Sequence, residues 1–123
     1  MEIKSKIVQV NKLKKGDLAG YNYRFVANKN MSVAVVPIGY ADGFGLEYIG
    51  LNLKINGASC KVLNVCMDCF FIDNTYSKLK KGDDIYLLNK NNTLSMFANY
   101  AKTSDYQVMT NFSHMRATRI VMD

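Results

Sequence analysis

Apolar and polar residues alternate with a period of two along most of the chain. Near the start, Ile3, Ser5, Ile7, Gln9 and Asn11 fall on one side and Lys4, Lys6, Val8 and Val10 on the other, as in a strand with two unlike faces. Further β segments are predicted over 21–27, 31–38, 51–55, 60–65, 69–72, 85–89 and 116–122. Turn-forming clusters separate them, including Asn28-Lys29-Asn30, Asn56-Gly57 and Asn89-Lys90-Asn91-Asn92. So many short strands in 123 residues imply a mainly β fold, a small barrel-like domain. One segment has helical spacing: Leu94, Phe97, Ala98 and Ala101 recur on one face as far as Lys102, behind Thr93 or Asn92 as the cap. One short helix is therefore expected.

A hexapeptide occurs twice, as Lys12-Leu13-Lys14-Lys15-Gly16-Asp17 and as Lys78-Leu79-Lys80-Lys81-Gly82-Asp83, each time before a predicted strand. A turn with its glycine at positive φ and its leucine in the core accounts for both copies without a ligand.

Composition narrows the class. The length suits a single domain, residues 1–123, and 49% hydrophobic with 21% charged residues is the balance of a packed globular chain. No apolar run approaches the roughly 20 residues of a bilayer span, and the start of the chain lacks the apolar stretch of a signal peptide. A cytoplasmic location with no membrane partner is the expectation. The net charge of +6 comes mostly from lysine, because Arg24, Arg116 and Arg119 are the only arginines among 16 basic residues. Spread in this way, the charge does not form the stripe of a nucleic-acid reader.

Cys66-Met67-Asp68-Cys69 has the spacing of a redox or zinc motif. The stretch from Ala58 to Asp73 reads as extended, however, and side chains three apart on a strand face opposite ways. Buried thiols and no bound metal are expected, the more so because His114 is the single histidine.

Two blocks are more specific. Val36-Pro37-Ile38-Gly39-Tyr40-Ala41-Asp42-Gly43 is followed by Val65-Cys66-Met67-Asp68, and this pair resembles the signatures of the alanine racemase C-terminal domain. The resemblance extends in order through Gly16-Asp17-Leu18-Ala19-Gly20-Tyr21 upstream, then Lys81-Gly82-Asp83-Asp84-Ile85, Thr103-Ser104-Asp105-Tyr106-Gln107 and Arg116-Ala117-Thr118-Arg119 downstream.

Racemisation at Cα removes a proton from one face and returns one to the other, so two bases must flank a planar carbanion. The resemblance implies an isomerase acting on L- and D-alanine, in which pyridoxal 5'-phosphate spreads the negative charge and a barrel lysine serves one face. A tyrosine from the partner subunit's β-domain serves the other, so a homodimer is implied. That tyrosine falls on Tyr21, whose ordinary pKa of about 10 must be lowered by its neighbours. Met67 is implied as a contact of the substrate carboxylate through its backbone N–H, Tyr40 as a residue of the substrate passage, and Tyr106 as a donor to the cofactor phosphate. Asp42 and Asp68 read instead as loop carboxylates that hydrogen-bond nearby backbone. Tyr23, Tyr48, Tyr76, Tyr86 and Tyr100 read as structural.

The chain departs from the family pattern at Phe44-Gly45-Leu46, Val62-Leu63-Asn64, Cys69 and Gln107, which leaves the choice between alanine, serine and another small amino acid open. It contains no cofactor barrel and no lysine in a Schiff-base motif. The expectation is a domain that is inactive alone, binds no cofactor by itself and has the N-terminal pyridoxal phosphate barrel of its own enzyme as partner. The alternative is a stand-alone small-barrel module that binds nucleic acid or another protein.

Overall fold

The computed structural model describes residues 2–19, 25–113 and 119–121. Its strands, in chain order, are β1 (Glu2–Lys6), β2 (Gln9–Leu13), β3 (Leu18–Ala19), β4 (Phe25–Val26), β5 (Met31–Val36), β6 (Asn52–Ile55), β7 (Ala58–Val65), β8 (Phe70–Asp73), β9 (Asp84–Leu88) and β10 (Arg119–Val121). Two helices, α1 (Leu94–Ala101) and α2 (Asp105–Phe112), lie between β9 and β10, and 3₁₀ turns occupy Tyr40–Asp42 and Leu46–Tyr48. A five-stranded sheet has the order β2-β5-β8-β7-β6, a three-stranded sheet the order β10-β1-β9, and β3 pairs with β4. The ladders are antiparallel. The fold is mainly β, as the alternation predicts, and among the described residues the sheets stay open rather than closing into one barrel.

The first alternating run is two strands rather than one. Ile3, Ser5 and Ile7 are all buried, as the period-two pattern requires. The chain then changes sheets, with the Ile7 N–H donating to Asp83 O at 2.8 Å and the Val8 N–H to Val35 O at 3.0 Å. Past this crossing the register of faces is lost, and Gln9 is exposed while Val10 packs partly on the core.

The hexapeptide repeat is one turn built twice. In each copy the aspartate N–H donates to the lysine carbonyl three residues back, Asp17 to Lys14 at 2.9 Å and Asp83 to Lys80 at 3.0 Å. The aspartate carboxylates accept the N–H groups of Lys14 and Lys80, both at 2.8 Å. The glycines stand at φ 94° and 92°, the third position of a type II turn. Even the docking is shared: the Gly16 N–H donates to Ala27 O and the Gly82 N–H to Ile7 O, each at 2.7 Å. Leu79 is buried in the main core, whereas Leu13 packs at the edge of a smaller cluster around Ala27, Met31 and Val33.

Asn56 (φ 55°) and Gly57 (φ 76°) form the predicted turn between β6 and β7, the double positive φ of a type I′ hairpin. Thr93 caps α1, its hydroxyl accepting the Met96 N–H at 3.2 Å. Asn92, the other candidate cap, is buried and instead bridges β6 and β9, accepting from Lys54 N and donating to Lys54 O and Tyr86 O. The second helix was not expected. Ser104 caps α2 by accepting the Gln107 N–H at 3.1 Å, and only Val108 and Phe112, one turn apart, are buried on it. A single i, i+4 pair is too narrow a stripe to stand out as a periodicity.

One main core draws on both larger sheets and both helices, from Ile3 and Leu87 to Val62, Phe70, Phe97 and Phe112. Phe44 stacks on Phe70 with ring centroids 4.3 Å apart, while Phe97 meets Phe112 and Tyr48 edge-on at 5.1 and 5.3 Å. Such offset and edge-to-face pairs add to the burial of large apolar area.

Candidate functional site

The two signature blocks meet in space. β7 and β8 form a hairpin whose tip is Met67-Asp68, and the 3₁₀ turn of Tyr40–Asp42 sits against it. The Tyr40 N–H donates to Cys66 O and the Ala41 N–H to Met67 O, both at 2.9 Å. The approach is so close that a Cβ on Gly39 would collide with Cys66 O and the Met67 backbone. Glycine is thus required here for proximity.

Asp42 locks the turn internally. Its carboxylate accepts the Gly39 N–H at 3.0 Å, while its own N–H donates to Gly39 O at 2.9 Å. With only 4% of its surface exposed, it is the loop-bonding carboxylate the sequence implied. Gly43, at φ 98°, ends the turn where a Cβ would collide with Asn111 O, so α2 packs directly on this block. Asn111 had no sequence signal for that role.

On this rigid support the side chains of Tyr40 and Met67 face outward, 48% and 56% exposed. Large apolar residues so open on the surface of a packed domain mark a face that suits a partner. Leu46, in the next 3₁₀ turn, and Ile49, just past it, are also exposed, and the Tyr100 hydroxyl of α1 donates to Ile49 O at 2.7 Å. Tyr106 stands in the first turn of α2, 73% exposed. It is five residues before Asn111, about 7.5 Å along the helix at 1.5 Å per residue. The structure thus brings Tyr40 and Met67 together and sets Tyr106 apart from them on the same helix that buttresses the turn. Tyr21, Tyr23, His114 and Arg116 lie outside the described residues.

The cysteine motif differs from its sequence reading. Cys66 to Cys69 is a hairpin turn and not a strand, and the Cys66 N–H donates to Cys69 O at 2.7 Å. The two cysteines therefore face each other across the turn, close enough for Cys66 to act on the Cys69 thiol. All three cysteines are thiols, with Cys60 and Cys66 buried and Cys69 partly exposed. Burial, reinforced by Cys66 and by the Asp68 carboxylate, pushes the Cys69 thiol up to about 12. Burial likewise pushes Tyr48 up to about 12, with Glu47 adding to the effect, which keeps that core hydroxyl neutral and fits its structural reading. Among the described residues no three metal-ligating side chains cluster, and no helix is long and apolar enough to cross a membrane.

Among the described residues, surface grooves lie elsewhere, two of them well defined. The larger, about 720 Å³, is lined by residues of the β6–β7 turn, β9 and the 89–91 loop. The smaller, about 420 Å³, lies beside Lys12, Met31 and Thr75. Neither includes Tyr40, Met67 or Tyr106.

Comparison with known proteins places the fold. Alanine racemase of Staphylococcus epidermidis is 32% identical over 117 residues, 91% of this chain and 30% of that protein. The crystal structure of alanine racemase from E. faecalis superposes with a TM-score of 0.82 at 31% identity, covering 92% of this chain and 32% of that one. The Bartonella henselae alanine racemase, a structure with covalently bound pyridoxal phosphate, has the same fold at TM-score 0.82 and 22% identity, over 90% of this chain and 32% of its own. The chain therefore spans about a third of the length of these relatives. The family model described as alanine racemase, C-terminal domain, matches residues 1–121, and the chain belongs to that family.

Proposed function

We propose that this chain is the C-terminal β-domain of an enzyme that interconverts L- and D-alanine, and that it is inactive without the pyridoxal phosphate barrel. The observation that carries the reading is the welded pair of signature blocks, a rigid turn and hairpin presenting Tyr40 and Met67 outward. In such an enzyme the cofactor supplies an electron sink for the charge that develops at Cα. The described residues do not fit that cofactor by themselves. Tyr106 offers a phosphate donor on an open helix surface, and neither of the grooves described above includes it.

What the chain itself contributes is positional. The hairpin tip fixes the Met67 backbone, whose N–H orients a substrate carboxylate. Tyr40 beside it lines the passage, and the Tyr106 hydroxyl reaches a phosphate. Tyr21 holds or takes the proton on one face of Cα in the partner subunit's site, as part of a homodimer. Nothing in this set selects alanine strongly over serine, since one hydroxyl more in an apolar site discriminates weakly.

The test uses the barrel of a related alanine racemase, produced separately. The purified chain alone is expected to racemise neither alanine nor serine, and mixing it with the barrel is expected to give turnover that Tyr21→Phe removes. Racemisation by the chain alone, or full complementation by Tyr21→Phe, would overturn the reading.

A further inference from the structure

We propose that Cys66 and Cys69 form a reversible modification site, a dithiol that a low-molecular-weight disulfide closes into an intramolecular bridge across the β7–β8 hairpin. Val65 faces Phe70 in the last described rung of the ladder, and the Cys66 N–H to Cys69 O bond makes the two cysteines the next facing pair. Facing residues of an antiparallel pair have Cα atoms about 4.5 to 5.5 Å apart, within the roughly 4.4 to 6.8 Å span of a disulfide. Their side chains leave the ladder on the same side, and Cys66 lies close enough to act on the Cys69 thiol. Cys60 is no competitor: it faces Leu53 toward the far end of β7, fully buried, about 20 Å from Cys66 at 3.3 Å per residue.

Accessibility orders the chemistry. Cys69 is partly exposed, whereas Cys66 is 6% exposed. The Cys69 thiolate attacks one sulfur of the incoming disulfide, that S–S bond breaks, and one small thiolate leaves. Cys66, deprotonated in turn, attacks Sγ of Cys69, forms the internal bond and expels the second thiolate. The two protons lost by the cysteines pass to the two released thiolates. Two protein thiols are oxidised and one external disulfide is reduced. Because burial holds the Cys69 thiol high, the thiolate is scarce near neutrality and closure accelerates as pH rises, by about tenfold per unit. The bridge would clamp both flanks of Met67, whose carbonyl and that of Cys66 hold the Gly39 turn.

The test treats the full chain with oxidised glutathione at neutral and mildly alkaline pH, then counts thiols after denaturation and maps peptides. The expected result is a fall from three thiols to one, with a Cys66–Cys69 cross-link that dithiothreitol reverses and that forms faster at the higher pH. Cys66→Ser should stop at a single glutathione adduct on Cys69, and Cys60→Ser should leave the cross-link intact. Retention of all three thiols, a stable glutathione adduct on the unsubstituted chain, or cross-links only between chains would overturn the proposal. None of these outcomes depends on racemase activity, so failure here leaves the proposed function standing.

Discussion

Gly39 and Gly16 show two different reasons for the same residue. Gly39 has an ordinary negative φ of −142°, yet a Cβ there would strike the Cys66 carbonyl and the Met67 backbone, both fixed by hydrogen bonds to the adjoining turn. Gly16 has open space around it but a φ of 94°. Forcing an L side chain into the left-handed region costs about 1 kcal/mol, whereas overpacking against immobile backbone costs about 3 kcal/mol. Gly39→Ala should therefore lower the urea midpoint considerably more than Gly16→Ala. The reverse order would mean that the hairpin tip yields to the extra carbon and that the two signature blocks are not rigidly joined.

At the scale of elements, much was legible. The period-two pattern locates the larger strands, Asn56-Gly57 announces its hairpin, and the repeated hexapeptide is recognisable as a turn from its glycine and aspartate alone. What escaped was the result of tertiary placement. The first strand breaks at Ile7 because the chain changes sheets there, and no residue near the crossing marks a turn. α2 buries one pair of side chains against a core built largely by other elements, and the break between the segments predicted at 60–65 and 69–72 reads as extended rather than as a tight turn because Cys66 to Cys69 lacks glycine and proline. The three-stranded sheet also carries a charge device invisible in sequence. Lys4 and Lys6 of β1 both reach Asp84 of β9, at 3.1 and 2.6 Å. These bonds, Lys6 first, hold the Asp84 carboxyl below its ordinary 3.8. A depressed folded value contributes stability that is complete above the unfolded pKa and is lost as pH falls through the folded one. The pairing should thus support the fold at neutral pH and fade below pH 3.8, with a small amplitude because the site is exposed. Asp84→Asn should flatten this part of the acid unfolding curve, and added salt should reduce the difference between the two proteins. An unchanged acid limb would show that the pairs carry no net stabilisation.

At the scale of the whole molecule, the candidate site has the character of a surface rather than a pocket. The backbone beneath it is tightly organised by Gly39, Asp42 and the hairpin carbonyls, yet Tyr40 and Met67 spend their side chains on the exterior. The resemblance made the candidate residues legible from sequence, but their openness was not, because an apolar side chain left on the surface breaks no rule of the chain's own periodicity. Stability and function should therefore separate here. Exposed substitutions that touch no cap, core or buried bond usually stay within about 0.5 kcal/mol of the parent, so Tyr40→Ala should leave the unfolding midpoint of the chain nearly unmoved. Complementation of a separate barrel is a different matter, since truncating an aromatic residue at a buried contact commonly costs about 2 kcal/mol of binding, roughly thirtyfold in the barrel concentration needed for half-maximal turnover. Titrating barrel into the parent and Tyr40→Ala chains under identical conditions measures that shift directly. A variant that unfolds earlier but complements equally would make Tyr40 a structural residue of the turn and remove it from the site.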